Sequence, residues 1–359
     1  MSSAQNAFSG TRPVAPQQAF DLDKLEAWLR GRLPGFDGGL QVEQFNGGQS
    51  NPTFLLRSGE RRWVLRRKPA GVLLASAHAV DREYRVIRAL AATDVPVAQA
   101  QLLCEDPAVI GSMFYVMDHV DGRIYWDPRL PGLEPAERAA LFDELNRVIA
   151  ALHRVDPTAI GLAGFGKPNA YVERQVARWT RQYRASETEK IDAVERLIDW
   201  LPQHLPPDGE SRIVHGDYRL DNVVFHPSEP RILAVLDWEL STLGDPLADF
   251  AYHCMSWRLP AEGSRGLGGV DLAALGIPDE AMYARRYFER VGLVEPPPAS
   301  TWTFYMVFNM FRLVGILQGV AARALQGNAS SEHAVMTGRR ARPLAEQAWA
   351  LACTLDSRR

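Results

Sequence analysis

Between positions 213 and 239 three short apolar runs are spaced so closely that the backbone has few choices. Ile213 and Val214 precede His215, Gly216 and Asp217; Asn222 leads directly into a run ending at Phe225; a third run, from Ile232, ends at Asp237. Runs of this length bounded by Gly, Asp, Asn and Pro read as strands joined by tight turns. The turn from His226 to Pro230 makes the last two a hairpin. Asp217, Asn222 and Asp237 are then expected on the rim of that hairpin. A lone Asn or Asp at a strand end is turn chemistry, but the three together form a donor set. One carboxylate can take the proton of an attacking hydroxyl, and an amide oxygen and a second carboxylate can ligate a divalent cation. Those are the parts that phosphoryl transfer from a magnesium nucleotide requires.

These residues resemble the catalytic and metal-binding segment of the aminoglycoside phosphotransferase and choline kinase family, relatives of the protein kinases. His215-Gly-Asp stands where protein kinases carry His-Arg-Asp, and the likeness continues through Gly244 to Phe250. The resemblance implies an α+β, bilobal protein-kinase-like fold. Its small lobe would hold a five-stranded antiparallel sheet plus one helix, and its large lobe would be mostly helical. The corresponding division is a flexible tail over 1–20, a nucleotide-binding lobe over 21–118 and a catalytic, acceptor-binding lobe over 119–359. Asp217 takes the role of base, and Asn222 and Asp237 hold Mg2+ against the phosphates of ATP or GTP. Glu239, two residues past Asp237, either binds a second metal or a water or is structural. Arg219 either contacts the transferring phosphoryl group or faces solvent. The resemblance further implies that His215 holds the catalytic loop and that Asp245 or Asp249 ties it in place.

Upstream, side-chain alternation predicts strands over 40–45, 53–57 and 62–67, then 101–105 and 112–118. A helix is predicted over 77–91 with Ser76 as its N-cap. On that helix Glu83 sits on an otherwise apolar stripe of Val80, Ile87 and Leu90. Kinase-like folds pair a phosphate-binding Lys with such a Glu; here the matching residue is Arg66, whose guanidinium can also grip phosphate, with Lys68 the alternative. Gly47, Gly48, Ser50 and Asn51 form a turn whose backbone N–H groups could cover phosphates, although most such turns merely join strands. The same resemblance places adenine on the hinge at Asp118, His119 and Val120, with Met117 packed on the ring.

Composition excludes several classes. The 359 residues carry a net charge of -3, which gives no argument for nucleic-acid binding. Cys104, Cys254 and Cys353 show neither paired nor metal-ligand spacing and are expected to be reduced. The N-terminus lacks the basic and apolar segments of a signal peptide, so the expected compartment is the cytoplasm. The apolar stretch 302–321 is interrupted by Asn309, Arg312 and Gln318, and a core helix is expected there rather than a membrane span. The glycine-rich stretch 261–269 is a surface loop or a substrate lid.

The acceptor is expected to be a small molecule with a hydroxyl group. Trp257, Trp302 and the aromatic residues 304–311 give no sign of the acidic or carbohydrate surface that a polycationic sugar requires, and at helical spacing they read as core. Residues 64–69, 78–84 and 238–245 resemble the kinase domain fused to acyl-CoA dehydrogenases in some eukaryotic proteins. That likeness implies a hydroxyl on an acyl or acyl-CoA chain as acceptor, and leaves no room in this length for the flavin domain itself. An aminoglycoside, choline, homoserine or sugar kinase is the rival, as is a non-catalytic nucleotide-binding protein. A protein kinase is disfavoured because no long activation segment separates Asp237 from Asp245.

Overall fold

The computed structural model describes residues 10–46, 51–69, 79–262, 266–325 and 336–356. The chain forms two compact units. The first comprises Met1–Phe165, Arg219–Ser241 and Asp271–Pro278; the second comprises Gly166–Tyr218, Thr242–Val270 and Asp279–Arg359.

The first unit is built on an antiparallel sheet of β1 (Thr11–Arg12), β2 (Gln41–Phe45), β3 (Thr53–Ser58), β4 (Arg61–Arg67), β5 (Ala100–Cys104) and β6 (Phe114–Asp118), in the order β1-β2-β3-β4-β6-β5. The sheet thus has six strands where five were expected. The extra strand is two residues long, too short to show a period. It pairs Thr11 with Phe45 and Arg12 with Gln44 and is fastened by Thr11 Oγ1 donating to Glu43 at 2.8 Å. The rest of residues 10–20 is anchored as well. Phe20 sits edge-on against Phe54 at 5.1 Å, and Arg67 donates to the Gln18 side chain at 2.7 Å.

Alternation along β4 divides the sheet into two faces. Trp63 and Leu65 join Phe54, Leu56, Phe114 and Val116 in a core against Leu25 and Leu29 of the helix Leu22–Leu29, which Asp21 caps. Val64 and Arg66 point the other way, towards the helix Val80–Leu90. There Val80, Glu83, Ile87 and Leu90 are buried, as the stripe predicts. The expected start of that helix, including Ser76, lies outside the described residues.

The returning segment of this unit carries the hairpin. A 3-10 turn, Leu220–Asn222, runs into β8 (Val223–Phe225), which pairs with β9 (Ile232–Val235). β9 is moored by Val235 N donating to Pro96 O at 2.8 Å. β8 is moored by Arg123 and Phe225, which exchange both backbone hydrogen bonds at 2.8 Å. Gly122 allows this approach. A Cβ there would lie 2.1 Å from Phe225 O and 2.5 Å from Val224 Cγ1.

Among the described residues the second unit is mostly helical, with a short ladder of β7 (Arg212–Val214) against β10 (Thr242–Gly244). Its longest helix, Ala299–Leu325, is long and apolar enough on length and composition to cross a bilayer. However, 78% of its most apolar window is buried, with Phe304, Tyr305, Met306, Phe308, Met310 and Phe311 all in the core. The core reading of this stretch agrees with that burial. In the 261–269 stretch, residues 263–265 lie outside the described residues. On either side Ala261 N donates to Gly268 O at 3.2 Å and Gly268 N to Leu259 O at 2.8 Å.

Because a methyl at position 122 meets backbone that is itself hydrogen-bonded, Gly122→Ala is expected to lower the unfolding free energy by about 1–3 kcal/mol. Urea denaturation of the variant checks this; unchanged stability would show that the β8 attachment is soft.

Candidate active site

In the first unit one guanidinium gathers three carboxylates. Arg66 Nε lies 3.0 Å from Glu83 Oε2, while Nη2 lies 2.7 Å from Asp237 Oδ1 and 3.5 Å from Glu239 Oε2. The arrangement follows from local structure. β4 alternation aims Arg66 away from the core, the helix Val80–Leu90 presents Glu83, and the hairpin ends at Asp237. Asp237 has left-handed backbone angles, φ 61° and ψ 61°, uncommon for a residue with a side chain. That conformation breaks β9 and starts the 3-10 turn Trp238–Leu240, which carries Glu239.

Glu83 is 1% exposed. It accepts from Asn51 Nδ2 at 2.7 Å and from Tyr115 Oη at 3.1 Å, besides its contact with Arg66. Burial raises its carboxyl to about 7 against the opposing pull of Arg66; the charges of Asp237 and Glu239 add to the rise. For Arg66 burial acts against the charged form, but Glu83, Tyr115 and Asp237 outweigh it and raise the guanidinium. Arg66 is thus the partner of Glu83, and Lys68 is not in this cluster. Lys68 instead contributes backbone bonds, its N–H to Met113 O at 3.0 Å and its carbonyl accepting from Ser112 Oγ at 2.8 Å.

Asn222 and Asp237 are brought together across the hairpin. Leu236 N donates to Asn222 O at 2.8 Å, so the residue before Asp237 is bonded to Asn222. Among the described residues no three His, Cys, Asp or Glu side chains form an all-protein metal cage. Mg2+ needs none, since it is commonly held by one or two carboxylates with water and substrate phosphates. Asn222 and Asp237 are hard oxygen donors of the right kind, so the residues fit a magnesium nucleotide. Arg219 Nη2 lies 3.1 Å from Asp221 Oδ2, with the Arg side chain 43% exposed.

The other expected nucleotide contacts divide. Gly47, Gly48 and Ser50 lie outside the described residues. Asn51 is buried, with its side chain given to Glu83. Met117 pairs with Val64 in the sheet. Asp118 N donates to Gln99 O at 3.0 Å and His119 N to Arg62 O at 3.4 Å, so both N–H groups are used by the sheet. Val120 is the first residue past that ladder.

In the second unit the loop after β7 is held from three sides. Asp249 Oδ2 accepts from His215 N and Oδ1 from Gly216 N, both at 2.8 Å. His215, fully buried, accepts through Nδ1 from Asp217 N at 3.2 Å. Asp245 caps its own helix instead, accepting from Leu247 N at 2.8 Å. Asp249 thus ties the loop, and the helix Pro246–Cys254 supplies it one turn after its N-cap. Tyr252 Oη then donates to Asp217 Oδ1 at 2.7 Å. The sequence reading missed this residue, although it shares a helix face with Asp249 at i, i+3 spacing. It also missed Arg312, which donates to Gly216 O. The signal for Arg312 was a charge inside an apolar helical run. Behind the loop, burial drives His253 down to about 4, and its ring lies 2.8 Å from Tyr283 Oη.

On this mixed helical and antiparallel fold the first unit carries the Arg66 cluster and the second the loop of Asp217. A sequence profile of the phosphotransferase enzyme family matches residues 41–287, and the chain belongs to that family. Mouse acyl-CoA dehydrogenase family member 10 is 49% identical over 342 residues, which are 94% of this chain but only 32% of the mouse protein. The chain therefore spans about a third of that relative. The crystal structure of a candidate aminoglycoside phosphotransferase from Ralstonia eutropha JMP134 is 55% identical. It covers 94% of this chain and 99% of that one, with a TM-score of 0.86. A thermostable mutant of the aminoglycoside phosphotransferase APH(4)-Ia, in a ternary complex with ADP and hygromycin B, matches with a TM-score of 0.59. It covers 91% of this chain and 98% of that one; at 17% identity it shows the fold alone. The kinase-like α+β fold implied by the motif is therefore the fold of this chain.

Glu83 gives a pH test. Its folded carboxyl lies above the ordinary value of 4.5, so the native state binds more protons than the unfolded chain between 4.5 and about 7. Its contribution to stability is full below 4.5 and is lost as pH rises to about 7. Across that window the stability of the wild type relative to Glu83→Gln should therefore fall. Thermal denaturation at stepped pH measures it; a difference that stays flat or grows would contradict the assignment.

Proposed function

We propose that this protein transfers the γ-phosphoryl group of Mg-ATP to the hydroxyl of a small molecule, with a hydroxyacyl-CoA as the preferred acceptor. The observation that carries the kinase reading is the Arg66 cluster. A buried Glu83 pairs with a strand cation that also meets Asp237, at the end of a hairpin opened by Asn222. Membership of the phosphotransferase family supports the same class.

In this reading Arg66 positions Asp237 and Glu83 and keeps their charge balanced. Asn222 and Asp237 would hold Mg2+, which supplies charge neutralisation on the nucleotide phosphates. Asp217 orients the acceptor hydroxyl and takes its proton late in transfer, because the transition state is loose and positioning dominates. The acceptor oxygen bonds to the γ-phosphorus, the β–γ bridging bond breaks, and ADP leaves with the electron pair. Arg219 is a candidate for stabilising the transferring group.

The acyl preference is supported by 49% identity to part of a protein named for acyl-CoA chemistry. The dehydrogenase name belongs to a whole of which the chain covers 32%, so dehydrogenation itself is not proposed. An antibiotic or other polar alcohol is the second reading, favoured by the 55% identity to a candidate aminoglycoside phosphotransferase.

ADP release from Mg-ATP in the presence of hydroxyacyl-CoA thioesters, aminoglycosides, choline and homoserine tests the proposal. Stimulation by hydroxyacyl-CoA is expected. Asp217→Asn should lower turnover by about 10²–10⁴-fold while ATP still binds. Full activity in that variant would remove Asp217 from its role, and stimulation by another class alone would replace the acceptor.

A further inference from the structure

Arg312 lies on the apolar helix Ala299–Leu325 and is 7% exposed. Burying a guanidinium is costly unless an anion compensates it. Among the described residues Arg312 makes no ion pair with a carboxylate, and its Nε is buried without a hydrogen-bond partner. The contacts it does make converge on the Asp217 loop. Nη2 donates to the carbonyl of Gly216, the residue before Asp217. The guanidinium carbon stands 4.4 Å from the centre of the Tyr252 ring and 5.4 Å from that of Trp179. Tyr252 in turn donates its hydroxyl to Asp217 Oδ1 at 2.7 Å. A helix built only for packing would carry Leu or Met at position 312.

We propose that Tyr252 and Arg312 are positioning residues for Asp217, acting as a relay: Arg312 fixes the Gly216 carbonyl and the Tyr252 ring, and Tyr252 fixes one carboxylate oxygen. The relay rests on the reading of Asp217 as the base. A cation over the ring face is attracted by the ring quadrupole, which holds the phenol in one orientation. The hydrogen bond from Tyr252 selects one rotamer of Asp217 from the staggered set. The loop backbone is already fixed by Asp249 and His215. The relay therefore governs the direction of the carboxylate rather than the course of the chain.

The test uses Tyr252→Phe, which keeps the ring under Arg312 and removes only the hydroxyl. ADP release from Mg-ATP is followed with water and with 3-hydroxybutyryl-CoA as acceptors. The expected result is a kcat lower by about 10- to 100-fold, the worth of one hydrogen bond to a charged group, with the KM for ATP changed less than about two-fold. In an Asp217→Asn background the same substitution should cost nothing further, since residues acting as one unit are non-additive. Arg312→Met should reproduce the kcat loss and Arg312→Lys should recover part of it, with thermal melts confirming that each variant is folded. Equal losses in both backgrounds, an unchanged kcat, or Met and Lys variants that behave alike would overturn the relay. A fully active Asp217→Asn would instead remove the underlying assignment of the base, and the relay with it.

Discussion

The Arg66 guanidinium is the charge around which the first unit is organised. Glu83 is buried, with the half-buried Asp237 and Glu239 close by; the three carboxylates would repel one another, and Arg66 is a cation that permits them to coexist. Its position is set by side-chain alternation on β4, so the core on one sheet face and the charge cluster on the other are two results of one period. Removing one partner of a buried pair leaves an uncompensated charge, at a cost of about 3–5 kcal/mol. Asn51 and Tyr115 complete the satisfaction of Glu83, which is why the loop end at position 51 is tied to the helix rather than presented to a ligand.

The second unit solves a different problem. The loop that carries Asp217 has its backbone held in place. Asp249 achieves this by taking two consecutive loop N–H groups. Its helix starts with a side-chain cap and Pro246 at its first position, a pre-organised start. The same helix then brings Tyr252 to Asp217 one turn later. Capping, loop anchoring and the hydrogen bond to the Asp217 carboxylate therefore come from eight consecutive positions of one short helix and its cap.

Much of this was legible in sequence, for identifiable reasons. The strands and the helix carrying Glu83 announce themselves by period, and Asp217, Asn222 and Asp237 by their place at strand ends. The pairing of Arg66 with Glu83 was implied by the resemblance to kinase-like folds, with Lys68 as the alternative, and the ion pair falls to Arg66. The sixth strand was not visible, since two residues carry no period. Asn51 read as loop because nothing local reveals a bond to a residue 32 positions away. Asp118 and His119 were expected to lend hinge backbone to adenine; pairing of their N–H groups with the carbonyls of Gln99 and Arg62 is a tertiary detail that sequence does not show. Arg312 was visible as an anomaly, but only tertiary packing shows that its acceptor is Gly216.

The central claim is that the Arg66 cluster and the hairpin from Asn222 to Asp237 form a magnesium-nucleotide site. Calorimetric titration of ATP into the wild type and into Asp237→Asn, each with Mg2+ and with EDTA, tests it most directly. The account predicts that Mg2+ tightens ATP binding in the wild type and that this gain disappears in the variant. An equal magnesium gain in both proteins, or no ATP binding by the wild type, would contradict it.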